Sequence, residues 1–81
     1  MSPAAMKARL RAADFHPFRV VTSGGMTYDV RHPDMVIVGL AELVIGIPSK
    51  EDATIAQATQ LVNLRHVIRV EPLEEATAAS N

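Results

Sequence analysis

The sequence contains no cysteine and no tryptophan, and its aromatic residues are one tyrosine and two phenylalanines. The missing cysteine excludes disulfide bonds, thiol nucleophiles and thiolate metal sites, and it is compatible with a reducing compartment. No apolar run reaches the roughly 20 residues that span a bilayer, and residues 1–15 lack the apolar core of a secretory signal. We therefore expect a cytoplasmic protein that does not enter a membrane.

Few aromatic residues mean that the core must be built from aliphatic side chains. Hydrophobic residues make up 48% of the 81 residues, whereas aromatic residues make up 4%. A chain of this size hides only about 60–65% of the surface that its unfolded form exposes, so its own stability margin is thin. We expect one small domain over residues 1–73 and a flexible tail over residues 74–81.

A β-hairpin is the clearest local signal, because two runs of β-formers flank Ser23-Gly24-Gly25. A two-residue loop at Gly24-Gly25 would mix charged and apolar side chains on both faces of the hairpin. A three-residue loop, closed by a glycine in the left-handed region, separates them. This register predicts one apolar face made of Phe18, Val20, Met26, Tyr28 and Val30.

The segment before the hairpin predicts an N-terminal helix over about residues 3–14. Ser2 can cap it and Pro3 is tolerated at its first position. Met6, Leu10 and Ala13 recur at helical spacing and form a narrow apolar stripe.

Two apolar strands follow the hairpin, Met35 to Val38 and Leu43 to Pro48. Both are apolar at successive positions, which is typical of strands that are covered on two sides. A chain this short cannot supply all of that cover, so we expect the sheet to curl and further copies of the chain to complete it. The candidate residues of this oligomer interface are Val36, Val38 and Val44.

Residues 49–64 leave two readings open. Ser49 to Asp52 resembles a helix cap, and apolar residues at helical spacing allow a helix over residues 50–63. The β-rich composition of Thr59 to Leu64 favours a loop followed by a strand. In the final strand, Val67 to Glu71, Ile68 and Val70 are expected to share one face.

Three short patterns carry a resemblance to known families. Phe15-His16-Pro17-Phe18, Gly24-Gly25 and His32-Pro33-Asp34 are similar to a pattern found in small bacterial proteins of unassigned activity, and they imply a compact barrel-like fold. The order of one helix and about five strands, with a tight joint before the last strand, resembles Sm-like and SH3-like barrels. The fold class predicted is therefore a strongly bent, five-stranded antiparallel sheet or barrel with one N-terminal helix.

The joint at Leu64-Arg65-His66 resembles the tyrosine-lysine-histidine signature of the Sm-like RNA chaperone family (Hfq). Leu64 stands where that family has an aromatic residue. The resemblance implies single-stranded RNA binding by Arg65 and His66, brought together from several subunits. The basic N-terminal region adds Lys7 and Arg11 as candidate nucleic-acid contacts.

Enzyme chemistry is not expected. His16, His32 and His66 have no metal-ligand spacing, and neither a GxSxG motif nor a phosphate-binding glycine loop is present. We expect no catalytic residue, metal, cofactor or small-molecule substrate. The function predicted is a non-catalytic, self-associating module, and the alternative is an Sm-like RNA-binding protein.

Overall fold

The computed structural model describes residues 1–73, which form a mainly β protein with one helix and six strands. A 3₁₀ turn at Pro33–Met35 precedes β3, and a second at Leu64–His66 joins β5 to β6. The predicted tail over 74–81 lies outside the described residues. The elements are α1 (Pro3–Arg11), β1 (Phe18–Thr22), β2 (Thr27–Val30), β3 (Val36–Val38), β4 (Glu42–Pro48), β5 (Ala56–Asn63) and β6 (Val67–Pro72).

Helix α1 begins as predicted but ends earlier. The Ser2 hydroxyl accepts a hydrogen bond from the Ala5 N–H at 3.1 Å, and Met6 is fully buried. The prediction that the helix continues to residue 14 is wrong, because Ala12 has an extended backbone (φ −58°, ψ 137°). The chain leaves the helix there and brings the Phe15 ring edge-on to the Phe18 ring, with centroids 5.9 Å apart.

The predicted hairpin register is confirmed. Phe18 pairs with Val30, Val20 with Tyr28, and the Thr22 N–H donates to the Met26 carbonyl at 2.9 Å, which leaves a three-residue loop. Gly25 closes that loop with a φ of +85°, a backbone conformation that residues with a Cβ rarely adopt.

The strands form two antiparallel sheets, with strand orders β2-β1-β6 and β3-β4-β5. Six strands are present rather than the five predicted, because the turn at Pro33–Met35 separates β2 from β3. Within residues 1–73 no strand pairing joins the two sheets into a closed barrel.

The core lies between the two sheets and is sealed by Met6 from the helix. It is aliphatic apart from one ring, as the composition predicts. Its buried members are Met6, Phe18, Val20, Val30, Val36, Leu43, Ile45, Val62, Leu64 and Val67.

Residues 49–63 form a loop and a strand, so the helical reading is wrong. The loop is closed by Asp52, whose carboxylate accepts hydrogen bonds from the Thr54 hydroxyl at 2.6 Å and the Thr54 N–H at 2.9 Å. These two bonds, the hydroxyl first, hold the pKa of Asp52 below its ordinary value. The loop delivers the chain into β5 at Ala56.

Strand β6 departs from simple alternation. Its register with β1 shifts between Val21 and Thr22, so that Val67 pairs with Thr22 and Arg69 with Val21. Ile68 is left over at this bulge and is 57% exposed, whereas Val67 is buried. The prediction that Ile68 and Val70 share one face is wrong, because the bulge interrupts the alternation between them: Val70 pairs with Val20, whereas Ile68 has no partner on β1.

The two faces of the second sheet differ. Leu43 and Ile45 are buried on the inner face, while Ile37 and Leu61 are exposed on the outer face. At one end, Met35 lies over Gly46, where an added Cβ would come within 2.9 Å of its sulfur. Ile37 and Leu61 stay exposed on the outer face, so residues 1–73 shield the inner side of the central strands better than the outer side.

Candidate functional site

Three apolar side chains form a line across the outer face of the second sheet. Ile37 pairs with Val44, and Val44 pairs with Leu61. Directly opposed side chains on neighbouring strands have Cβ atoms about 4.5–5.5 Å apart, so these three are in lateral contact range. We call Ile37, Val44 and Leu61 the outer row; Ile37 is 68% exposed, Leu61 is 64% exposed and Val44 is half-buried.

Strand β5 is the edge of this sheet and is almost entirely exposed. Seven of its eight residues are exposed, and only Val62 is buried. It pairs with β4 on one side, and within residues 1–73 no strand pairs with its other side. Its sequence, AQATQLVN, contains no charged residue and no proline.

The backbone of β5 presents free hydrogen-bonding groups at that open side. The Leu64 N–H donates to the Ala41 carbonyl at 2.9 Å, which identifies this pair as hydrogen-bonded. Hydrogen-bonded pairs alternate along an antiparallel ladder, so Val62 and Gln60 also bond to β4. The backbone groups of the intervening residues, Thr59, Leu61 and Asn63, point away from β4.

The three valines predicted as an oligomer interface are placed differently from one another. Val36 is buried in the core, and Val38 packs against that core. Val44 belongs to the outer row. Of the three, Val44 is the residue whose position suits an interface between copies.

The four predicted nucleic-acid contacts do not share one cleft, and Arg65 lines neither of the two clefts that the other three line. Lys7 and Arg11 line a groove of about 520 Å³ between α1 and β3, together with Leu10 and Ile37. His66 lines a cleft beside the hairpin loop instead. The single chain therefore does not gather the four predicted contact residues into one surface.

The turn at Leu64–His66 is held by its neighbours. The Asn63 side-chain oxygen accepts a hydrogen bond from the Arg65 N–H at 2.9 Å. The Ser23 N–H donates to the His66 carbonyl at 2.7 Å, and the Ser23 hydroxyl lies 3.3 Å from the His66 Nδ1. Hairpin loop and turn thus fix each other, and the Arg65 side chain is left exposed.

The cleft beside this turn has a volume of about 360 Å³ and is lined by both polar and apolar groups. Ser23 and His66 are a pair from which nucleophilic sites are built, but such a pair also needs a group that orients the histidine. Among residues 1–73 no carboxylate is hydrogen-bonded to His66. The lining residues are Thr22, Ser23, Gly24, Tyr28, Leu61, Val62, Asn63 and His66.

Metal-ligating side chains are not clustered in the part of the chain that the structure describes: no group of three or more His, Asp or Glu residues is arranged to hold an ion. His16 lies 3.6 Å from Asp14 in an exposed contact. No helix among the same residues is long and apolar enough to cross a membrane. The expectation that the protein is not an enzyme stays a prediction.

Charged pairs are concentrated on the first sheet. The Arg19 guanidinium donates to the Asp29 carboxylate at 2.7 Å across β1 and β2, and this bond raises the pKa of Arg19 above its ordinary value. On β6, Arg69 donates to Glu71 at 2.7 Å. The second sheet has no equivalent ion pair among the described residues.

Sequence reasoning missed Ile37 and Leu61 as interface candidates. The signal for Leu61 was present, because residues 53–64 carry no charge and are too polar to be a core strand. An uncharged, polar strand of this kind is an unprotected edge. Ile37 follows once Val36 is placed on the inner face, since strand neighbours point to opposite faces.

Comparison of the chain with protein-family models, with curated proteins and with solved structures finds no match. The resemblances to Sm-like barrels and to the small bacterial family therefore stay predictions.

Proposed function

We propose that the protein is a non-catalytic module that self-associates through the open side of β5 and the outer row. The observation that carries this proposal is the combination of an uncharged, unpaired edge strand with an exposed apolar line on the same sheet. Natural edge strands are normally blunted by lysine, proline or bulges, and an edge without such features is a pairing site.

Both parts of this surface are needed for a stable contact. Fully burying an isoleucine or leucine side chain contributes about 1.5–3 kcal/mol, and each intermolecular hydrogen bond adds about 0.5–1.5 kcal/mol. Association itself costs about 4–15 kcal/mol. Leu61 is the outer-row residue on the open edge strand, so its burial in two copies contributes about 3–6 kcal/mol, and the strand hydrogen bonds must supply the rest.

The same proposal includes a fold more specific than two sheets. The order β2-β1-β6 with β3-β4-β5, and a 3₁₀ turn between the last two strands, is what a small SH3-like barrel would have if β2 and β3 were two halves of one bent strand. The buried cluster between the sheets supports this reading. A second copy seated on β5 would extend the second sheet beyond the barrel.

The test is the mass of the unmodified protein as a function of concentration. Light scattering after size exclusion should show a transition from one copy to a defined oligomer, and the melting temperature should rise with concentration, because association stabilises only the folded state. A single-copy mass and a constant melting temperature up to millimolar concentration would refute the proposal.

A second candidate function, RNA binding, is favoured by the cleft at His66. Tyr28 and His66 are both flat rings that line it, the exposed Arg65 is adjacent, and RNA-binding sites combine stacking rings with cations. Replacing Arg65 and His66 by alanine should weaken binding of single-stranded RNA and reduce its salt dependence. The matched control is Lys50→Ala in the exposed loop. If the unmodified protein fails to bind RNA at low salt, this candidate is rejected.

A further inference from the structure

We infer that β5 pairs with β5 of a second copy, antiparallel and about a two-fold axis at Leu61. This inference rests on the proposed self-association and specifies its partner strand and register. It predicts a closed dimer rather than a ring or a fibre, since each copy uses the same edge strand and, within residues 1–73, the other edges are short or protected.

The other strand edges explain why β5 must pair with itself. Strand β3 has three residues and β2 has four, of which Asp29 is charged. Strand β6 has a bulge at Ile68, an ion pair between Arg69 and Glu71, and a proline that lacks an N–H. Short length, charge, bulges and proline all protect edges against pairing. Within residues 1–73, β5 is the remaining long edge.

Pairing one edge with the same edge of an identical chain requires antiparallel strands, because only then do both copies use the same residues. The groups that point outwards are those of Thr59, Leu61 and Asn63, and these must face each other in hydrogen-bonded pairs. The register between β4 and β5 shifts between Ile47 and Pro48, which breaks the alternation before Ala58. The usable segment therefore begins at Ala58 and ends at Asn63.

An axis at Leu61 uses every outward group of this segment except the Asn63 carbonyl, which begins the 3₁₀ turn at Leu64–His66. It places Leu61 opposite Leu61 of the second copy and Thr59 opposite Asn63 of the second copy. An axis at Gln60 would instead pair Thr59 with Leu61 and leave Asn63 opposite the irregular region. The two registers therefore make equal numbers of strand hydrogen bonds within residues 58–63, and the outer row decides between them.

The same register also joins the outer rows of the two copies. Ile37, Val44 and Leu61 lie in one line across three strands. With Leu61 on the axis, the line continues directly into the second copy and becomes six apolar side chains on a six-stranded sheet. With Gln60 on the axis, Thr59 would interrupt it.

The absence of cysteine makes the register directly measurable by disulfide trapping. Hydrogen-bonded antiparallel residues have Cα atoms about 5.5 Å apart, inside the range of about 4.4–6.8 Å for disulfides. Thr59→Cys and Asn63→Cys proteins, mixed under reducing conditions and then oxidised, should form a cross-linked dimer. Neither variant alone should cross-link, because each cysteine then lies four residues along the paired strands from the same cysteine of the second copy.

Asn63→Cys removes the hydrogen bond to the Arg65 N–H, so Leu61→Cys provides a second test that keeps this bond. Leu61→Cys alone should cross-link to itself more than tenfold faster than Thr59→Cys alone. Circular dichroism of each reduced variant checks that it is folded.

The possible results separate the register from the self-association. Cross-linking of Gln60→Cys to itself, or of Thr59→Cys to Leu61→Cys, faster than the Thr59–Asn63 pair would overturn the axis at Leu61. Cross-linking of Thr59→Cys to Ile68→Cys would overturn β5–β5 pairing in favour of β5–β6 pairing. In both cases self-association would stand. A single-copy mass of the unmodified protein would overturn both proposals together.

Discussion

Strands β5 and β6 are both edges of three-stranded sheets, but they treat their open sides in opposite ways. Strand β6 carries a bulge, an ion pair and a terminal proline, whereas β5 is longer and has one irregularity at its start, at Gln57, with none of these features over residues 58–63. Each protective feature of β6 interferes with the approach of another strand. From this difference we expect another strand to cover the open side of β5, and we expect the open side of β6 to stay exposed.

The largest expected effect on dimerisation comes from placing a charged side chain on β5, and the same change on β6 gives the comparison. Leu61→Lys would put two like charges opposite each other at the dimer axis and desolvate them, so the dissociation constant should rise about 100-fold or more, which is about 2.8 kcal/mol. Ile68→Lys is the matched control, because Ile68 is similarly exposed but lies on β6. Sedimentation equilibrium measures the dissociation constant of the dimer for both variants. An equal effect of the two variants would contradict the account.

A proline tests which backbone groups of β5 are free. Thr59→Pro removes an N–H that points away from β4, so we expect about a tenfold weaker dimer with little change in the stability of the single chain. Gln60→Pro removes an N–H that bonds to β4, and it should destabilise the fold by about 1–3 kcal/mol. Urea unfolding at low protein concentration separates the two effects. The reverse pattern would show that the assigned alternation is wrong.

Removing the charged residues that protect the edge strand β6 should allow copies of the protein to associate through β6 as well. Replacing Arg69 and Glu71 together by threonine eliminates the ion pair and leaves an uncharged edge. Species larger than the dimer should then appear at high concentration, while the dimer itself is unchanged. Their absence would mean that the bulge at Ile68 alone protects β6.

The smallest expected effect concerns the loop that leads into β5. Hydrogen bonds from Thr54 lower the pKa of Asp52, so the folded state binds this proton more weakly than the unfolded state. Their stabilisation is present above the ordinary carboxyl pKa and is lost as the pH falls through the lowered one. The protection factor of the Thr54 amide, which corrects for the intrinsic slowing of exchange toward acid pH, should therefore fall at acid pH, and Asp52→Asn should remove this fall. A Thr54 protection factor that does not change with pH in the unmodified protein would refute this prediction.

Local patterns in the sequence predicted the elements that depend on local interactions. The hairpin register follows from Ser23-Gly24-Gly25 and the alternation around it, and the structure confirms it. The loop and strand of residues 49–63 follow from composition, and the joint at Leu64–His66 is a 3₁₀ turn.

Features that depend on distant contacts were not predictable in this way. The bulge that expels Ile68 is set by the pairing of β6 with β1, which are distant in sequence. The end of α1 at Arg11 was also missed, because Ala12 and Ala13 are helix formers, yet the chain leaves the helix there and packs Phe15 against Phe18. Which face of the central strands is covered also could not be read from residues that are apolar in both directions, so Val36 was selected where Ile37 is the exposed neighbour.

Hydrogen exchange of the backbone amides of β5, measured at low and high concentration, tests the central claim most directly. The Gln60 amide bonds to β4 and should be protected at both concentrations. The Leu61 amide points to the open side, so it should exchange rapidly when the protein is dilute and slow by at least tenfold when a second copy covers it. Equally rapid exchange of Leu61 at both concentrations would contradict the account.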